Sequence, residues 1–552
     1  MASPNKKPLK ILLATHNTCG VYDDITTRLP LWLDRLESLV ARHKIDFLAV
    51  HMQEVGGSSW KKGGLDHVQP FADAIAAKFA NDYWCTGLLC EATPDSTFTA
   101  LGSIYLVLKA SAERVSMWAA ASDDDETGAF RSVASFTSPL VSPPTADARY
   151  CCHAQMPPAL FGEGNKVSRK GYLLTSWSFD GRQCIDLLNV HNLHDASNWV
   201  ALEEPSIYAA RRQKCLHHVL RERDRHSFVE HQLSREATAL FVFGDFNFRL
   251  SLGQVVRHLC GADGVEAARA LREKAEAAAA AEAEAKQAAE ATEKEAKKEA
   301  KEGDDEKKAK PAAVALPAAD AQSSGDAEGV AIHMSDKKFR LGRPETIIEH
   351  FSTFLQFDNE LAAYTASAVA GAAEAAEGGG GADGGGDGAA TPLFELPIEF
   401  PPSYSYDDSA GGDRFTLRRG TTAAEEGLEG LLAAGGGPAA EEGGGVGGGG
   451  GGSSASLDED SERSALSLEP YDKSLCKLMA AHFGPKRCPA WCDRVLMDGN
   501  ARALVCGGGE DGGAKEGDGG GTPSFAPVYA TDLQRTVLTD HNMVYLVFEV
   551  PA

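Results

Sequence analysis

The sequence predicts a layered α/β fold, and three observations carry that expectation. Short apolar runs with β-branched or aromatic members read as strands: Ile45 to Val50, Cys184 to Val190 and Ala239 to Phe243. Each ends on a polar cluster: His51-Met52-Gln53-Glu54, His191-Asn192-Leu193-His194-Asp195, and Gly244-Asp245-Phe246-Asn247-Phe248-Arg249. Other segments place apolar residues three and four apart and read as helices, namely Leu31 to His43 and Asp66 to Phe79. In layered α/β folds, ligands and catalytic groups gather beyond strand ends.

In chain order, Leu9 to Ala14 reads as the first strand, and Tyr83 to Cys90 and Leu101 to Leu108 are further strands. Ser138 to Pro144 and Pro157-Pro158 have turn composition. Gly171 to Ser178 and Cys184 to Val190 are expected to pair as a hairpin across Phe179-Asp180-Gly181-Arg182, where Asp and Gly suit the turn. A helix is expected over Ile207 to Glu230, with Leu216, Val219 and Phe228 on a rough stripe. The cluster Asp540-His541 opens a last strand, Met543 to Val550, and Trp491-Cys492-Asp493-Arg494 forms another polar cluster.

Between these runs lie tracts with little to bury. Gly264 to Lys310 is dominated by Ala, Glu and Lys; it has helix propensity without a wide apolar face, so a solvated helix and partial disorder both fit. Gly371 to Gly388, Gly435 to Gly452 and Gly507 to Gly521 are glycine-rich. Setting such tracts aside leaves about 350 residues, enough for one large domain. The expectation is a single catalytic domain spanning 1–552, interrupted by low-complexity insertions at about 264–330, 371–388, 420–465 and 507–521.

The formal charge of −25 and pI of about 5.1 argue against a nucleic-acid backbone as a general partner. Local positives, among them Lys170, Arg249, Lys486 and Arg487, still permit a basic pocket for a small anion. The 12 cysteines show no repeating pair spacing, which points away from a zinc site or disulfide scaffold and toward a reducing compartment. The N-terminus leads straight into a strand with no leader-like segment, and no lipidation signal is present. No apolar run is long enough for a membrane span, so a cytoplasmic protein without an integral membrane segment is expected, with peripheral membrane attachment left open.

The chemistry-bearing residues are carboxylates, amides and histidines, a set suited to metal-assisted attack on a phosphate ester. Asp245 and Asn247 flank Phe246, and period-two spacing would put both polar groups on one side. Asp245 could orient or deprotonate a water that Asn247 helps to hold; an ordinary strand-to-turn junction is the plainer alternative. Glu54 suits Mg²⁺, a hard cation that prefers oxygen, and Asn17 could add a neutral oxygen. His191 and His194 lack a third soft ligand for zinc, and His191 is better read as facing phosphate. His541 is a candidate for contacting the transferred phosphoryl group with Asp493 in support, and Asp540 for serving the water or the metal shell.

Together these segments resemble the inositol polyphosphate 5-phosphatases, members of the DNase I-like metal-dependent phosphoesterases. Phe243-Gly-Asp-Phe-Asn-Phe-Arg249 looks like one family hallmark and Pro489-Ala-Trp-Cys-Asp-Arg-Val-Leu496 like the other. His191-Asn-Leu-His-Asp-Ala-Ser-Asn198, Arg169-Lys-Gly171 and Phe400-Pro-Pro-Ser-Tyr404 look like the type I branch, which acts on inositol 1,4,5-trisphosphate. The resemblance implies a four-layer α/β/β/α sandwich and Mg²⁺ held near Glu54 with help from Asn17. It implies a water activated by Asp245 and positioned by Asn247, with His541, oriented by Asp493, and His191 on the phosphoryl oxygens. Asp540 fits the acid of the family's C-terminal Asp-His pair. Lys170, Tyr404, Lys486 and Arg487 match places tied to the remaining substrate phosphates; Arg169, His194 and Arg249 are further substrate-binding candidates. Arg494 is expected either in the site or as a structural tie to neighbouring carboxylates.

Three departures stand out. His16 occupies a place where many relatives have Trp. Ser405 stands where lipid-active relatives often have Lys. Asn542-Met543 follows Asp540-His541 where relatives usually show a basic residue and Pro. The implied substrates are soluble inositol polyphosphates, with phosphoinositides a second class. A DNase I-like nuclease and an inactive scaffold are the competing functions; the acidic chain argues against the first and the retained polar set against the second.

Overall fold

The computed structural model describes residues 6–88, 98–120, 128–135, 150–161, 169–225, 238–299, 332–377, 391–407, 473–507, 525–532 and 537–552. The strands are β1 (Leu9–Asn17), β2 (Phe47–Gln53), β3 (Tyr83–Leu88), β4 (Gly102–Leu108), β5 (Val115–Ala119), β6 (Ala129–Ser132), β7 (Cys152–Gln155), β8 (Gly171–Phe179), β9 (Gln183–His191), β10 (Ala239–Asp245), β11 (Ile332–Met334), β12 (Phe339–Leu341), β13 (Asp493–Met497), β14 (Val528–Thr531) and β15 (Val544–Val550). Two twisted sheets stack face to face. The first runs in the order β14-β15-β1-β2-β4-β3 and the second β13-β10-β9-β8-β5-β6, with β7 also on β8. The small hairpin of β11 with β12 lies apart.

Alternation along the strands builds the layers. Leu9, Ile11 and Leu13 of β1 meet Phe241 and Phe243 of β10 between the sheets, while Leu12 and Ala14 face outward. A short helix, α1 (Cys19–Asp23), leads from β1 into α2 (Ile25–His43). With α3 (Val68–Phe79), α2 covers that outer face through Trp32, Leu36 and Phe71. After β9 the single turn α4 (Asn198–Ala201) precedes α5 (Ile207–Arg225). There Leu216 and Val219 of α5 meet Leu240 and Val242 on the outer face of the second sheet. The result is the expected four-layer α/β/β/α sandwich.

The expected elements are present, with shifted ends. β1 and β2 continue three residues past the apolar runs, because the polar residues that follow stay in the sheet interior. The hairpin turns at Asp180 and Gly181, both at positive φ (52° and 66°). Phe228, Cys90 and Ser138 to Pro144 lie outside the described residues. The Ala/Glu/Lys tract is helical through Glu299 in the run Leu252–Glu299, which is broken at Gly261 (φ 74°). Its first part packs, since Val265 and Ala268 are buried against the body, while Arg272 ties it to Glu203 at 2.7 Å. Beyond that it is exposed through Glu290.

Two crossovers decide where chemistry sits. β1 runs parallel to β2 across α2, and β9 parallel to β10 across α5, so the C-terminal ends of all four strands point the same way within their sheets. Gly244 allows the close approach of β10 to β9; a Cβ there would stand 2.0 Å from the Val190 carbonyl oxygen. Arg494 is structural: it donates from Nη1 to Glu395 at 2.6 Å, from Nη2 to Asp358 and from Nε to the Trp491 carbonyl, all beneath the site. Removing it would take the counter-charge from two buried carboxylates and leave Glu395 only the Tyr529 hydroxyl as a donor. Arg494→Ala is therefore expected to lower the unfolding free energy in urea by about 3–5 kcal/mol. A loss below about 1 kcal/mol would show that the trio contributes little.

Candidate active site

Register brings the polar clusters into one row. Across the second sheet Gly171 pairs with His191, His191 with Asp245, and Asp245 with Asp493. Across the first sheet Asn17 lies beside Gln53, immediately before Glu54. His541 precedes β15, whose Val544 pairs with Thr15.

Asp245 is at the centre and 1% exposed. Its Oδ2 accepts from Asn17 Nδ2 at 3.3 Å and stands 3.5 Å from His191 Nε2 and 3.9 Å from His541 Nε2. Its Oδ1 accepts from the Asn247 main-chain N–H at 2.9 Å. Asn247 does not continue the strand alternation expected from its spacing, because β10 ends at Asp245 and Asn247 is left-handed at φ 54°. Its carboxamide is spoken for on both sides: Nδ2 donates to the Asn192 carbonyl at 3.2 Å and Oδ1 accepts from Arg249 Nη2 at 2.7 Å. Phe246 does point away, into the α5-side core.

His541 Nδ1 donates to Asp493 Oδ2 at 2.8 Å. Ser403 Oγ accepts from the Asp493 N–H at 3.1 Å, so its own proton goes to Asp493 Oδ2 at 2.7 Å. Asp493 thus acts as an acceptor for two donors, and the shared proton belongs to the histidine. Burial works against a charged ring, but Asp493 and Asp245 outweigh it and raise His541 to about 10. Tyr404 flanks the ring at 4.6 Å between centroids, and Arg249 lies 4.2 Å over Tyr404. Ser403 escaped the sequence reading: it lies inside a quoted motif, but its reach to a carboxylate 90 residues on is visible only in three dimensions.

His191 is buried and held well below its ordinary value, first by burial and then by Lys170, whose ammonium contacts Nε2. The positive charge here therefore sits on Lys170. Burial lowers Lys170 to about 8 against the pull of Asp245 and Glu54, which leaves it charged at neutral pH. Glu54 follows β2 at φ 55° and stands 3.2 Å from Arg169 and 3.8 Å from His191. Burial opposes its charge, but Arg169 and Lys170 hold the carboxyl below the usual range.

Asp540 is half-buried, accepts from Thr539 Oγ1 at 3.3 Å, and its field reaches Cys19 and His541. His194 is exposed beside Asp195, which is anchored by the buried Arg212 shared with Glu360. Arg212 carried no sequence signal, since an arginine in a helix reads as solvent-facing. Arg487 spends two donors on the Asp195 carbonyl, at 3.3 and 2.9 Å. Lys486 is exposed, with its carbonyl fixed by Asn198.

Asp245, Asp493 and His541 bring one ligand atom each within 4.8 Å of one another, a cluster of the kind that can hold a divalent cation. Asp493 Oδ1 is buried with no hydrogen-bond partner among the described residues. The charged His541 ring competes for this place. Glu54 and Asn17, by contrast, offer oxygens and a carboxyl kept in its charged form. The donor set as a whole fits a hard cation; the nearby Cys19 thiol is pushed up by burial and is a poor ligand. Among the described residues no helix is long and apolar enough to cross a membrane, and no disulfide forms.

No family model matches the chain. It is 34% identical over 268 residues to inositol polyphosphate-5-phosphatase A of Homo sapiens, covering 47% of this chain and 60% of that protein. Against the Canis lupus familiaris protein of the same name it is 26% identical over 504 residues, 90% of this chain and 85% of the relative. A probable type I inositol 1,4,5-trisphosphate 5-phosphatase of Caenorhabditis elegans matches at 26% over 255 residues, 44% and 56% of the two chains. The human match thus spans about three-fifths of that relative's length. Homology to inositol polyphosphate-5-phosphatases is therefore present at low to moderate identity. Among solved structures, the 5-phosphatase domain of SPsynaptojanin with inositol (1,4)-bisphosphate and calcium aligns over 99% of this chain and 84% of that one. Its TM-score is 0.38 at 11% identity.

Proposed function

We propose that the protein removes the 5-phosphate of inositol 1,4,5-trisphosphate, and of the 1,3,4,5-tetrakisphosphate, in a Mg²⁺-dependent hydrolysis. The observation that carries this reading is the convergence on Asp245 of Asn17, His191 and the His541–Asp493–Ser403 chain, beside a charged Glu54. The 5-phosphatase homology supports the substrate class.

In this reading Asp245 takes a proton from the attacking water, whose oxygen bonds to phosphorus as the bond to the ring oxygen breaks, and the departing ring oxygen takes up a proton from solvent to leave as a hydroxyl. Asn247 holds the turn that fixes Asp245, through its N–H. His541, charged on both nitrogens, donates from Nε2 to the phosphoryl oxygens, with Asp493 setting its orientation. Lys170 supplies a second positive charge, held in place by His191. Glu54 and Asn17 would hold Mg²⁺, which supplies positive charge against the phosphate oxygens when bound. Lys170, Arg169, His194, Tyr404, Arg249, Lys486 and Arg487 are the candidates for the other substrate phosphates, with Asp540 at the edge of the metal shell.

Soluble head groups are the preferred class. The chain carries a formal charge of −25, which an anionic bilayer repels, and Ser405 offers no cation beside Tyr404. Purified protein is expected to release phosphate from inositol 1,4,5-trisphosphate with Mg²⁺ and to stop in chelator. Under the same salt, kcat/KM should exceed that for phosphatidylinositol 4,5-bisphosphate in vesicles. Full activity in chelator, or release from another ring position, overturns the reaction; a preference for vesicles overturns the substrate class alone.

A further inference from the structure

The ring of His541 is aimed by Asp493, but its main chain needs separate support. The loop before β15 is pinned group by group. Arg28 Nη1 donates to the Leu538 carbonyl at 2.7 Å, the Tyr406 N–H donates to the Asp540 carbonyl at 2.9 Å, and the Asn542 N–H donates to the Ser403 carbonyl at 2.7 Å. The His541 carbonyl itself is held by a side chain, His16 Nε2 at 3.2 Å.

His16 is 2% exposed, on β1. Its other nitrogen, Nδ1, stands 2.9 Å from Trp32 Nε1. An indole N–H only donates, so Nδ1 accepts and the ring proton sits on Nε2. That tautomer is the one the His541 carbonyl requires. Trp32 is fully buried in α2 against Phe71, with ring centroids 5.2 Å apart, so the donor that sets the tautomer is rigid.

We infer that His16 is a positioning residue for His541, with Trp32 selecting the tautomer that lets it act. The outer helix α2 is thereby coupled to the site through a chain of two hydrogen bonds, Trp32 to His16 to the His541 main chain. Without the His16 donor, a buried carbonyl loses its partner and the loop relaxes. The His541 ring then drifts relative to Asp245, and small misplacements at a reacting centre are costly in rate. The kinetic form of this inference rests on the phosphatase reading above.

Two amide substitutions separate the halves of the imidazole. In His16→Gln the amide nitrogen reaches the place of Nε2 and keeps a donor for the His541 carbonyl. In His16→Asn the amide oxygen reaches the place of Nδ1 and keeps an acceptor for Trp32, but the donor is gone. His16→Asn is expected to lose about tenfold in kcat with KM unchanged, and His16→Gln to recover most of it. Equal losses in both, or a full kcat in His16→Asn, overturn the inference. A readout free of turnover is ¹⁵N NMR of the wild-type histidines. The His16 proton is expected on Nε2, and the His541 ring signals should move in His16→Asn and stay in His16→Gln. A proton on Nδ1 of His16 overturns the inference even if neither variant folds. If wild type releases no phosphate from inositol trisphosphate, the phosphatase reading falls and the NMR result alone decides the role of His16.

Discussion

Asp245→Asn is expected to lower kcat by about 10³-fold or more while leaving the urea midpoint close to that of wild type. The fold should survive because asparagine keeps an oxygen for the Asn247 N–H, the bond that holds the turn after β10. What it loses is the second carboxylate oxygen. Oδ2 is the atom that faces Asn17, His191 and His541, so the substitution removes the proton acceptor and the counter-charge for the His541 ring together. An amide nitrogen there would face the Asn17 amide nitrogen, donor against donor. Single-turnover phosphate release on protein of matched stability measures the chemical step directly. A kcat within a few-fold of wild type would place the proton acceptor elsewhere.

Asp493→Asn is expected to act through the charge of His541. In wild type the ring is raised to about 10 by Asp493 and Asp245 against the opposing effect of burial, so it stays charged through the neutral range. Asparagine still accepts the Nδ1 proton but supplies no charge, and His541 should fall toward or below its ordinary value of about 6.5. The alkaline limb of kcat attributable to this ring then moves from near pH 10 to below about pH 7. At pH 8 the loss should be about 10²-fold, shrinking as the pH is lowered. The stability contribution has a matching sign. A folded-state value above the unfolded one stabilises fully below about pH 6.5, and that contribution is lost as pH rises through about 10. The variant should therefore show a smaller drop in unfolding free energy over that window. The limb from Lys170, near pH 8, should be the same in both proteins and serves as an internal control. A pH–rate profile unchanged by the substitution would show that Asp493 does not govern the histidine.

Residue patterning alone determined the layered class, the strands that end on polar clusters and the identity of the central polar set. These are legible because periodicity is local. Continuous apolar runs mark β1 and β10 as strands buried on both faces, and spacing of three and four marks α2 and α3 as covering helices. The four-layer order came from the resemblance of the motifs, and the sheet order bears it out. Position within the clusters was less legible. Asn247 read as the next inward residue of a strand, but a positive φ at that position turned its carboxamide to Arg249 and Asn192. Arg494 read equally as site or scaffold, and only its contacts with Asp358 and Glu395 decide for scaffold.

Tertiary structure alone decided the pairings. Ser403 with Asp493, His16 with Trp32 and the His541 main chain, and Arg212 with Asp195 and Glu360 join residues far apart in the chain or on different elements. No local pattern encodes them, because each contact depends on which distant segments the packed sheets, helices and loops bring together. Protonation followed the same rule. The sequence names His191, His194 and His541 as site candidates and His16 as a departure from the family pattern, but burial and neighbouring charge make His541 the cation and leave His191 and His16 neutral. A histidine's charge is a property of its surroundings, and those surroundings exist only once the chain is folded.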